Sequence, residues 1–137
     1  VNERRHVKAP LERYLLPSGE RRVRVSPLGM SAHTIFTVLK RFGVVTYLDA
    51  ELKTGRTHQI RAHLAYLGHP VLGDIKYGNR KMNERTGTKT QALCAMRITF
   101  REIPEENTLH YLSGKVIKLK DPQILQQFDA LDKSKNA

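Results

Sequence analysis

Apolar positions recur along this chain with two different periods. Residues 21–26 (RRVRVS) alternate charge with valine and read as a short exposed strand. Thr34, Phe36 and Val38 share one face of a second strand, and Val44, Leu48, Ala50 and Leu52 share one side of a third. Between these two, Arg41-Phe42-Gly43 suits a hairpin connection. The period then changes: Ile60, Leu64 and Leu67 fall at i, i+4 and i+7, the stripe of an amphipathic helix. Thr57 is the expected N-cap, Gly68 the residue just past the C-terminus, and Pro70 the stop. Residues 1–20, punctuated by Pro10, Pro17 and Gly19, read as irregular, and residues 71–90 as a long loop with at most a short helix. Cys94, Met96, Ile98 and Phe100 alternate as one buried face of a further strand, and another strand is expected between His110 and Leu119. A last helix after Pro122 carries Ile124, Leu125, Phe128 and Leu131. Strands adjacent in sequence with short links predict an α+β fold: a mixed or mostly antiparallel sheet with a few packed helices.

Composition changes the picture chiefly through charge. The 137 residues are one domain or part of a larger one. Their 24 Lys and Arg against 13 acids give +11, a balance that points to nucleic acid as partner. A single cysteine, Cys94, excludes a disulfide framework and a thiolate zinc site. No apolar run approaches twenty residues, so no membrane segment is expected and the cytoplasm is the expected compartment. The chain opens on Val1 rather than Met, and VNERRHVKAPLERYLLPSGERRVRVS lacks a short charged lead-in, so a piece of a longer polypeptide is expected.

Candidate chemistry concentrates in KTGRTHQIRAHLAYLGHP, where five of the first eleven residues are basic or imidazole. Gly55 is read as allowing a tight turn into the helix, whose first N–H groups lack intrahelical partners. Lys53, Arg56, Thr57 and His58 add donors at the end of the helix dipole that favours an anion. A phosphate would fit there, and so would a carboxylate from elsewhere in the protein. Arg61 lies beside the apolar stripe, where a half-buried guanidinium needs a partner. That partner is either an ordinary acid stapling the helix to the sheet, or a catalytic carboxylate that Arg61 keeps ionised. His58, His63 and His69 stand five and six residues apart, so they lack the i, i+4 spacing of a zinc helix and no metal is expected. No nucleophile elbow, P-loop or dinucleotide fingerprint occurs.

ELKTGRTHQIRAHLAYLGHPVLGDIKYG resembles the third motif block of the RluA/RluC family of pseudouridine synthases, a contiguous match far longer than a three-letter motif. Upstream, KAPLERYLLPSGERRVRVSPLGMSAHTIFTVLKRF is similar to the RluC branch, with an APL segment, a basic strand and a T-x-F-x-V strand. The resemblance implies a cofactor-free isomerase that flips a uridine out of its RNA stack, here in 23S ribosomal RNA, and rejoins the base through C5. It implies that Arg61 is the basic residue paired with the family's aspartate and that Ile60 is the aliphatic residue packed against the target base. It leaves Lys53, Arg56, Thr57 and His58 facing RNA.

One departure bears on activity. The family's aspartate lies in an HRLD-x-x-TSG block, and none of Asp49, Asp74, Asp121, Asp129 and Asp132 follows His-Arg-Leu. The family's tyrosine block is missing as well. Residues 1–137 are therefore expected to be the C-terminal portion of a synthase domain whose nucleophilic part precedes Val1. The alternative is a non-catalytic RNA-binding domain that keeps the basic scaffold without the nucleophile. Two outlying groups, Arg21, Arg22 and Arg24, and Lys76, Arg80, Lys81 and Arg85, fit either phosphate tracking or a solvated surface.

Overall fold

Helix α1 (Gln59–Tyr66) is short, and its packing on both sides explains why it forms at all. The computed structural model describes residues 3–120 and Ile124. Residues 1–92 and 93–137 make two compact units. In the first, β1 (Arg4–Val7), β4 (Thr34–Phe42) and β5 (Val45–Leu52) form an antiparallel sheet in the order β1-β4-β5. Phe42 pairs with Val45 across the Gly43-Val44 turn, so the expected hairpin is present. A separate antiparallel pair joins β2 (Leu11–Leu15) to β3 (Arg21–Val25).

α1 buries a different residue against each partner. Leu64 joins Val7, Phe36 and Val71 in one cluster, with Ile60, Leu67, Leu48 and Ala50 packed at its edge. Ala62 joins Leu11, Val23 and Ala32 in a second cluster, against the β2–β3 side. Each buried side chain of that size contributes about 1–3 kcal/mol. Gly68 follows the helix with φ 81°, the left-handed residue expected there.

Three expectations need correction. Residues 4–7 and 11–15 are strands rather than irregular: β1 is an edge strand whose first three side chains are exposed, so it leaves no apolar alternation to read. Pro17 and Gly19 mark the β2–β3 turn, not the absence of structure. In the second unit, β6 (Arg97–Thr99) pairs with β7 (Val116–Lys118), but Cys94 and Ile98 are exposed. A ladder of three residue pairs has too few side chains to bury a face of its own. A single 3-10 turn, His110–Leu112, precedes β7. In the first unit the 71–90 segment carries one short helix, α2 (Arg80–Thr86), as expected. Leu125, Phe128 and Leu131 of the expected last helix lie outside the described residues, and Ile124 is helical.

A buried polar chain ties α1 to the sheet. His63 is fully buried, and its Nε2 donates to the Ala9 carbonyl at 2.8 Å, so its neutral Nδ1 accepts from Thr34 Oγ1, also at 2.8 Å. Thr34 Oγ1 accepts in turn from Gln59 Nε2 at 2.9 Å, and that amide nitrogen also reaches the His33 carbonyl at 3.0 Å. Gln59 Oε1 takes the Thr54 hydroxyl and the Arg56 N–H, at 2.8 and 2.9 Å. Every buried donor in this network of His63, Thr34 and Gln59 meets an acceptor, which is what makes a polar core tolerable. Burial lowers the His63 pKa below 6.5, only partly offset by its bond to Ala9. A base held neutral by the fold stabilises it fully above about pH 6.5 and progressively less as pH falls below that value. The urea midpoint should therefore drop between pH 7.5 and 5, and His63→Gln should flatten that slope, the parts belonging to His33 and His58 excepted. An unchanged slope would remove His63 from the acid response.

Candidate functional site

The turn into α1 does not begin where capping rules place it. His58, not Thr57, occupies the N-cap, in the left-handed region at φ 51° and without a side-chain cap bond. Gly55, read as the residue that allows the tight turn, is neither left-handed nor crowded, and the left-handed residue of this turn comes three positions later at His58. A left-handed non-glycine residue at this point needs compensation, and Tyr77 supplies it. The Tyr77 oxygen accepts the Val23 N–H at 3.0 Å and its hydroxyl lies 2.9 Å from His58 Nδ1, with the two rings edge to face. That arrangement makes Nδ1 the acceptor and leaves the proton of the neutral ring on Nε2. Burial, then Arg61 and Lys76, lower the His58 pKa, so the ring is neutral at neutral pH.

Arg61 is paired within the chain. Its Nε and Nη2 meet Asp74 Oδ2 and Oδ1 at 2.8 and 3.0 Å, a two-pronged bond between a side chain 16% exposed and one wholly buried. Asp74 Oδ1 also accepts the N–H groups of Lys76 and Tyr77, at 2.9 and 3.1 Å. Burial pushes the Asp74 carboxyl up, but Arg61 and those two N–H groups outweigh it and hold the carboxyl below its ordinary value. The Arg61 guanidinium also lies 5.0 Å from the centre of the Tyr77 ring. Of the two partners open at the sequence level, an ordinary acid is the one this chain supplies, and it comes from the loop after the helix rather than from the sheet.

The pair does not exhaust Arg61. A guanidinium has five N–H donors, and Asp74 takes one on Nε and one on Nη2, leaving three. Those three meet no acceptor among the described residues. A buried aspartate thus orients the arginine while its other edge stays available to a second anion.

The remaining sequence candidates separate. Ile60 is half-buried at the edge of the core cluster. Lys53 is bound to Glu51 at 2.8 Å, and Arg56 Nε donates to the Ser31 carbonyl at 2.9 Å. Thr57 is exposed. Among the outlying cations, Arg24 pairs with Glu12, Arg80 with Glu84, and Arg22 and Lys76 both approach Glu20. Among the described residues no three His, Cys, Asp or Glu side chains group as a metal site, and no helix is long and apolar enough to cross a membrane. Sequence reasoning missed Asp74 and Tyr77 as partners of Arg61 and His58. The GDIKYG run held the signal, since it places an acid and an aromatic three residues apart after a turn.

An α+β unit with an arginine presented beside a strained helix start is an arrangement suited to binding and orienting an anionic substrate. Comparisons with known proteins show what the chain resembles. The model of the RNA pseudouridylate synthase family matches residues 2–66. Ribosomal large subunit pseudouridine synthase C of Salmonella typhimurium is 37% identical over 116 residues, covering 85% of this chain and 35% of that protein. The Escherichia coli K12 protein of the same name is 36% identical over 131 residues, covering 96% of this chain and 40% of its own length. The chain is similar to the RNA pseudouridylate synthase family over those residues, and it spans about two fifths of the length of these relatives. The solved structure of Human RNA Pseudouridylate Synthase Domain Containing 1 shares the fold, with a TM-score of 0.52 at 21% identity over 96% of this chain and 60% of that one.

Truncating one member of a buried ion pair strands the other. Asp74→Ala should destabilise the chain by about 3–5 kcal/mol, and Arg61→Met in the same background should recover a large part of it. Urea unfolding of the two single variants and the double variant checks this. Additive losses would mean that the pair is not the unit described.

Proposed function

We propose that this chain serves a polypeptide that converts uridine to pseudouridine in RNA, with 23S ribosomal RNA as the substrate. In that isomerisation the N1–C1′ bond breaks, a C5–C1′ bond forms, the C5 proton leaves and N1 gains one. No cofactor is needed, because nothing is oxidised, reduced or transferred. Support comes from the likeness to that family, from the names of the relatives and from the net charge of +11.

The observation that carries the reading is the open edge of Arg61. The aspartate this chemistry requires follows none of the family's motifs in the present sequence, so a second polypeptide segment must supply it. In this reading residues 1–137 are the C-terminal portion of the catalytic domain. Arg61, held by Asp74 through one edge, keeps that incoming aspartate charged and aimed through the other. Ile60, on the same helix turn, supports the flipped base without competing for its hydrogen bonds. Arg56 and Thr57, with Lys53 and the Nε2–H of His58, face the RNA. The site of action is the cytoplasm.

Tritium release from RNA labelled at uridine C5 tests this in the longest natural polypeptide that carries the sequence. Arg61→Met should lower the single-turnover rate by about 100-fold or more while RNA affinity changes little. Arg61→Lys should fall between, since a lysine cannot present two edges. Equal rates for wild type and Arg61→Met would overturn the role of Arg61. RNA binding with no tritium release from the wild type would leave a non-catalytic RNA-binding domain.

A further inference from the structure

A cavity of about 330 Å³ opens on the β2–β3 side of the turn into α1, and its lining includes Glu12, Arg13, Leu28, Met30, Arg56 and Thr57. Its outer wall is built rather than loose. Residues 26–30 close a turn through Gly29 N–H to the Ser26 carbonyl at 2.9 Å, and Met30 and Leu11 exchange both backbone hydrogen bonds, each at 2.9 Å. Gly29 lies so close to β2 that a Cβ there would overlap the Leu11 carbonyl group and crowd the Glu12 nitrogen. The loop is therefore pressed flat on the strand, and only glycine permits the approach.

That rigid wall holds Leu28 84% and Met30 57% exposed. Two large apolar side chains fixed in water beside a cavity are a contact surface awaiting a cover. The polar side of the cavity is cationic. Arg13 is exposed and makes no ion pair among the described residues, whereas the Glu12 carboxylate is already engaged by Arg24 at 3.2 Å. Arg56 is steadied by the Ser31 carbonyl, so its guanidinium plane is set in advance. An occupant with a flat apolar face and a negative charge matches both sides, and an unpaired ribonucleotide has both.

We infer that this cavity holds one unpaired nucleotide of the RNA substrate, a neighbour of the uridine at Arg61 rather than that uridine itself. The base lies against Leu28, Met30 and the Arg56 plane, and its phosphate meets Arg13 and the Thr57 hydroxyl. The two positions are one side chain apart: Val23 lines the cavity, its N–H binds the Tyr77 hydroxyl, and Arg61 sits over the Tyr77 ring. The inference rests on the reading of the chain as RNA-directed, and it adds a subsite that grips sequence next to the target.

Anisotropy of a labelled single-stranded RNA titrated with the 137-residue chain tests it. All three substituted side chains lie at the surface, so the variants keep the fold. Leu28→Ser with Met30→Ser should weaken binding about tenfold and leave the salt dependence unchanged. Arg13→Gln should weaken it several-fold and lower the salt slope by about one. An RNA with one abasic nucleotide at the responsible position should bind the wild type and the Leu28/Met30 variant equally. If the wild type binds and every variant stays within twofold of it, the subsite is overturned while the RNA-directed reading stands. Failure of the wild type to bind any RNA overturns both.

Discussion

An arginine withdrawn from water has to be neutralised, and in this chain that requirement organises the surroundings of α1. Arg61 is answered by Asp74, the most deeply buried carboxylate among the described residues, and Asp74 is in turn fixed by two backbone N–H groups. The residues between them form the end of the helix, the Gly68 turn and the start of the loop that brings Tyr77 to the His58 ring. One ion pair therefore sets the loop, and the loop sets the aromatic hydroxyl that steadies a left-handed residue at the helix start. On the opposite side Gln59 and His63 anchor the same helix to β4 through Thr34. A helix of eight residues, too short to persist alone, is held rigid from two directions.

Rigidity of that kind is what a site acting by electrostatics requires. A guanidinium that had to be ordered when substrate arrived would lose part of its interaction energy to that ordering. Here one edge is ordered in advance by a partner that cannot leave, and the other edge keeps its donors. The division of the neighbouring cations follows the same logic. Lys53 and Arg24 are neutralised locally, while Arg13 and Arg56 border a cavity with exposed apolar walls. In the reading proposed above, charge across the chain draws RNA in a general way, and the donors at this cavity decide where it comes to rest.

Much of the first unit was legible in the sequence because its signals are periodic. The β4–β5 hairpin and the Ile60–Leu64–Leu67 stripe could be read directly, as could the Gly68 exit from the helix. Strands β1 and β2 were not, because an edge strand whose first three residues are exposed carries no alternation and its proline and glycine neighbours resemble irregular chain. The site was legible in part. Arg61 announces its need for an acid, but nothing in the spacing says that the acid stands thirteen residues on, since a loop carries no period. In the sequence His63 invites only a metal reading. Its i, i+4 relation to Gln59 was the overlooked signal of a polar pair on a buried helix face. The β6–β7 alternation suggested a buried face that so short a pair cannot provide.

The central claim is that Arg61 has two working edges, one closed by Asp74 and one open to an acid from outside this sequence. A crystal structure of the longest natural polypeptide containing the chain tests it most directly. An aspartate carboxylate within hydrogen-bonding distance of the free Arg61 N–H groups, with the Asp74 pair intact, is the result predicted. An Arg61 that meets Asp74 alone, its outer edge against solvent or apolar packing, would contradict it.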